Sequence, residues 1–87
     1  MKITYYLDVL KPHQSSNDML ARTLKKITGV KYVRIKIDEI DLKTTSLYVK
    51  IIGNQDILLD TIEDSLKSLN CSLHSLDRII IDDHNWD

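Results

Sequence analysis

Three histidines and a set of carboxylates are the residues of this 87-residue chain best equipped for chemistry. Asp8 lies near the end of the first alternating segment, and His74 lies near the start of the last. If those segments pair antiparallel, the two become cross-strand neighbours, with His13 in the loop just beyond. One carboxylate and two imidazoles suit a divalent transition metal. Asp38, Glu39 and Asp41 make a second group, whose oxygens suit Ca²⁺ or Mg²⁺, although the spacing is not that of an EF-hand. The plainer readings are a surface His–Asp hydrogen bond and a solvated turn. The two groups are expected at opposite ends of the strands, too far apart to form one site.

Other chemistry finds little support. Ser, His and Asp all occur, but no strained elbow motif marks a nucleophile. The loop Lys11-Pro12-His13-Gln14-Ser15-Ser16 has no glycine, so it is no phosphate cradle. Cys71 is the lone cysteine, which excludes an internal disulfide and a CxxC motif. No catalytic residue is expected, and no cofactor beyond a divalent metal ion.

The elements that must position these residues follow from periodicity. Ile3, Tyr5, Leu7 and Val9 alternate with Lys2, Thr4, Tyr6 and Asp8, which makes a strand that Lys11-Pro12 should stop. Ser15 or Ser16 then caps a helix with the stripe Leu20, Leu24, Ile27, closed by Gly29 as a left-handed C′ residue. Val33, Ile35 and Ile37 alternate with Tyr32, Arg34, Lys36 and Asp38; Leu47, Val49 and Ile51 alternate with Ser46, Tyr48, Lys50 and Ile52. A polar turn between them reads as a hairpin. Asn54 or Asp56 caps a second helix with the stripe Leu59, Ile62, Leu66, Leu69, ending at Asn70. A last strand, from about Cys71 to Ile81, breaks its alternation near Ser75-Leu76, as at a bulge. Residues 82–87 read as a polar tail.

The order β-α-β-β-α-β predicts an α+β class protein, a ferredoxin-like βαββαβ sandwich. Its four-stranded sheet should run 4-1-3-2 with two helices on one face. At 87 residues, 43% apolar and 29% charged, one domain over residues 1–87 is expected. No apolar run reaches the roughly 18–20 residues of a membrane span. Met1-Lys2 leads straight into a strand without a signal peptide, and a cytoplasmic location is expected.

Three stretches resemble an archaeal family, domain of unknown function 211. They are Asp8-Val9-Leu10-Lys11-Pro12-His13 before a capped helix, Gly29-Val30 leading into Asp38-Glu39-Ile40-Asp41, and Leu73-His74-Ser75-Leu76-Asp77 opening the last strand. The resemblance spans nearly the whole chain. It implies a ferredoxin-like domain that assembles into oligomeric, often ring-like particles, with no molecular function assigned. Arg78 stands where that family's pattern usually carries an acidic residue.

Net charge is −1, which argues against bulk nucleic-acid binding. The two parts of the chain differ: residues 1–50 carry +5 and residues 51–87 carry −6. Such asymmetry suits head-to-tail pairing of copies. Tyr6, Tyr48 and Tyr32 should stand on the uncovered sheet face, where tyrosine adds contact area with a polar end. Ile79 and Ile81 give the last strand an apolar edge open to another chain. A self-assembling, non-enzymatic homo-oligomer is therefore the leading expectation, with divalent metal ions at or near subunit contacts. Two alternatives stay open. One is a small-molecule-sensing regulatory domain of the ACT type. The other is weak single-stranded RNA binding, with bases stacked on the tyrosines of the open face.

Overall fold

The computed structural model describes residues 1–83. Six elements follow one another: β1 Lys2–Pro12, α1 Asn17–Lys25, β2 Val30–Ile40, β3 Thr44–Gly53, α2 Leu59–Ser68 and β4 Ser72–Asp82. The sheet has the order β2-β3-β1-β4, and its three strand pairs are all antiparallel. This is the expected ferredoxin-like arrangement, the order 4-1-3-2 read from the other edge.

Alternation drives the layering. Ile3, Leu7 and Val9 of β1 and Leu47, Val49 and Ile51 of β3 turn to the helices and are buried. Leu20 and Leu24 from α1 and Ile62 and Leu66 from α2 meet them and are fully buried. Each such side chain contributes about 1.5–3 kcal/mol when removed from water.

The helix ends follow local chemistry, with two departures. Ser16 caps α1: its side chain accepts from the Met19 N–H at 3.2 Å. Gly29 has φ +89°, as expected of a left-handed residue, but it does not end the helix. Lys26 is the C-cap, and Gly29 is the third residue of a turn closed by Val30 N–H to the Ile27 carbonyl. That turn position demands a positive φ. Neither Asn54 nor Asp56 caps α2. The cap is Leu58, without a side-chain bond, because the Asn54 amide oxygen is engaged by the Asp56 N–H at 2.9 Å. Asn70, at φ 60°, does stop α2. Cys71 N–H bonds to the Leu66 carbonyl and Asn70 N–H to the Lys67 carbonyl, a Schellman motif.

Pro12 does not stop β1 early. The strand continues through Pro12 opposite Thr44, while its β4 partners end at Leu10 opposite Ser72. Beyond Leu10 the strand is an edge on that side, where a sheet tolerates proline.

The β2–β3 hairpin outruns the helices. Helix α1 has nine residues and spans about 13 Å, whereas an eleven-residue strand spans about 36 Å. Ile37 and Ile40 are therefore half-exposed or more on the helix side of the sheet, and Leu42 at the tip is 98% exposed. No described helix is long and apolar enough to cross a membrane.

Candidate functional site

The face opposite the helices is striped by the pairing of its strands. One row crosses it as Arg34 of β2, Lys50 of β3, Tyr6 of β1 and Arg78 of β4. The next row crosses as Lys36, Tyr48, Asp8 and Ser75. Between and above these rows lies a cleft of about 420 Å³, lined by Tyr6, Arg34, Lys36, Tyr48, Lys50, Asp77 and Arg78.

Tyr6 organises the first row. The Lys50 ammonium and the Arg78 guanidinium each lie 5.4 Å from its ring centroid, approaching from β3 and β4 respectively. Each cation–π contact contributes about 0.5–1 kcal/mol at an exposed site.

Tyr48 organises the second row. Its hydroxyl is held above the ordinary tyrosine pKa of 10.0, first by the negative charge of Asp38 and then by Asp38 as hydrogen-bond acceptor. Asp8 and Asp77 act in the same direction. Three β-bulges set this row. The register of β2 against β3 slips at Asp38, and that of β4 against β1 slips at His74 and again at Asp77. Each slip re-aims the side chains that follow. One oxygen of Asp8, Oδ1, is buried and has no hydrogen-bond partner.

The expected metal residues are distributed otherwise. Asp8 stands opposite Ser75, and His74 is the exposed extra residue of a bulge. His13 is exposed in the turn after β1. Asp38 occupies the β2 bulge, Glu39 lies opposite Ser46, and Asp41 donates its backbone N–H to the Thr44 carbonyl at 2.8 Å. Among the described residues, no three His, Cys, Asp or Glu side chains gather as a metal site.

The expected separation of the two acidic groups is corrected. Asp8 and Asp38 both act on Tyr48, because antiparallel pairing puts the beginning of β3 beside the end of β1. The hairpin turn and the Asp8 end of β1 are at the same end of the sheet.

The expected contact residues divide between two faces. Tyr6, Tyr48 and Tyr32 share the open face, and Tyr32 and Tyr48 are exposed. Ile79 and Ile81 pair with Tyr5 and Ile3, so they belong to the helix side, where both are more than half exposed. The convergence of Arg78 and Asp77 on the tyrosine rows was not legible in the sequence, because two bulges intervene. Lys50 and Arg34 were legible as outward residues from their period-2 spacing.

The family model for domain of unknown function 211, described as an uncharacterized ArCR family, matches residues 4–84. An uncharacterized protein of Methanocaldococcus jannaschii is 34% identical over 74 residues, which is 85% of this chain and 75% of that protein. The family match takes in all six elements but the first two residues of β1, and with it both rows of the open face. The chain belongs to the domain of unknown function 211 family.

Proposed function

We propose that this protein is a non-enzymatic interaction module that assembles head to tail with copies of itself into a closed ring. One observation carries this reading. The helix side of the sheet has two dissimilar apolar patches at diagonally opposite corners. Ile37 and Ile40 lie on β2 toward the hairpin end, and Ile79 and Ile81 lie on β4 toward the other end. Two different patches on opposite edges make a heterologous contact, which closes into a ring when its rotation permits. Each patch belongs to an outer strand of the sheet, whose unpaired side invites a further strand. Charge supports the same pairing weakly: β2 carries Lys31, Arg34 and Lys36 against Asp38 and Glu39, and β4 carries Asp77 and Asp82 against Arg78.

Light scattering at micromolar concentration tests the proposal. An oligomer that dissociates in the Ile79→Lys, Ile81→Lys double variant supports it. A 10.1 kDa monomer for the unaltered chain overturns it.

A divalent cation on the open face, away from the apolar patches, is a second reading, favoured by the unpartnered Asp8 oxygen. Its remaining ligands would come from a neighbouring copy. Assembly unchanged by chelator, with no metal found by elemental analysis, removes this reading. A cytoplasmic, reducing setting fits the free buried thiol of Cys71.

A further inference from the structure

We infer that the open face carries a binding site for a small diphosphate-bearing ligand, formed by Arg34, Lys36, Lys50 and Arg78 around Tyr6. The site shares Arg34, Lys36 and Asp77 with the assembly proposed above, and its test reads ligand binding and not assembly.

Four cations line one cleft, whose one lining carboxylate is Asp77; Asp8 and Asp38 act on Tyr48 at its edge. Arg34, Lys36, Lys50 and Arg78 form no ion pair among the described residues. Asp77 is itself engaged, accepting a hydrogen bond from the Ser75 hydroxyl at 2.6 Å. Lys50 is half-buried, with its ammonium 5.4 Å from the Tyr6 ring centroid. Like charges brought together and unpaired favour an anion in their midst.

The spacing selects the anion. Arg34 and Arg78 are separated by three strand spacings of about 4.8 Å, or about 14 Å between backbones. Arg78 lies over Tyr6, and Arg34 lines the same cleft from the opposite edge. A single phosphate reaches one arginine well and the other poorly. Two linked phosphates span the row, with Arg34, Lys36 and Lys50 on one and Arg78 on the other. Arginine matches phosphate oxygens bidentately, and lysine adds a point charge.

Tyr6 has a positioning role here. Lys50 and Arg78 lie over its ring, so it holds the two cations apart and upright. Stacking a base on that ring would require displacing them, which favours phosphate recognition over base recognition at this residue.

The test is calorimetric titration of the full chain with inorganic pyrophosphate and, separately, orthophosphate, at low ionic strength. Saturable binding of pyrophosphate, at least roughly tenfold tighter than orthophosphate, is expected. Arg78→Gln and Lys50→Gln should each weaken pyrophosphate about tenfold, the scale of one charge-assisted hydrogen bond. Lys67→Gln, remote on α2, should leave binding unchanged. Tyr6→Leu should weaken binding less than either cation variant. No heat with millimolar pyrophosphate overturns the inference, as does equal weakening by all three glutamine variants. Affinity that rises stepwise with the length of a single-stranded oligonucleotide also overturns it, since that behaviour belongs to a strand-binding surface.

Discussion

Gly53 runs so close beneath Gly29 that a Cβ added to Gly53 would collide with the Gly29 carbonyl oxygen. The same carbonyl accepts the Asn54 N–H at 3.1 Å, so it is not free to withdraw. This contact joins the start of β2 to the end of β3, opposite each other in the sheet. Gly53→Ala should destabilise the protein by about 1–3 kcal/mol, the usual cost of overpacking. Urea unfolding measures it, with an unchanged slope if the native fold persists.

Lys11 is a buried lysine whose ammonium, among the described residues, bonds to backbone carbonyls, those of Pro12 at 3.1 Å and Ser15 at 2.6 Å. It fastens the loop between β1 and α1. Lys11→Met keeps most of the stem packing and removes the bonds. A loss of about 1–3 kcal/mol is expected, since two carbonyls lose a charged donor. Thermal unfolding checks it, and Lys25→Met on the α1 surface should change stability little.

Asn70 holds a left-handed backbone at φ 60°, which asparagine tolerates and glycine prefers. Asn70→Gly should be neutral or stabilise slightly. Asn70→Ala should cost about 1 kcal/mol, because alanine keeps the Cβ but loses the short polar side chain that eases asparagine into that region. The ordering of the two variants in a denaturant titration decides the point, and alanine equal to glycine would contradict it.

Tyr48 should ionise above pH 10.0, because Asp38 opposes its charge and accepts its hydrogen bond. Asp38→Asn should bring the phenol back toward the ordinary value. Ultraviolet difference titration of Tyr48→Phe against the unaltered chain isolates this group, and no downward movement in Asp38→Asn would refute the assignment.

The Cys71 thiol is likewise pushed above 9.0, chiefly by burial, against a smaller opposing effect of Lys11. A raised folded-state pKa means the unfolded chain ionises first. The stabilising contribution is therefore complete below about pH 9 and declines as pH rises through the folded-state pKa. Cys71 should resist alkylation at neutral pH until the chain is unfolded in denaturant. Cys71→Ala should flatten the alkaline fall in stability.

The sequence by itself determined the element order, the core faces and the sheet topology. Period-2 alternation separates Leu7 from Asp8 and Val49 from Tyr48 without any knowledge of neighbours. The short connections then leave little choice of topology. It also determined Asn70 as a helix stop, since that property belongs to one residue and its backbone.

Register was decided by the tertiary structure alone. A single extra residue in one strand re-aims every side chain after it, and the bulges at Asp38, His74 and Asp77 are fixed only by pairing with β1 and β3. That is why Asp8 faces Ser75 rather than His74, and why Asp38 reaches Tyr48. It is also why Arg78 stands opposite Tyr6; the two slips of β4 together restore the alternation, so Ile79 and Ile81 keep the helix side with Leu73. The alternating outward residues of β1, β2 and β3 marked a tyrosine-bearing face. The cation row that ends in Arg78 exists only because four strands, with two slips, bring it together.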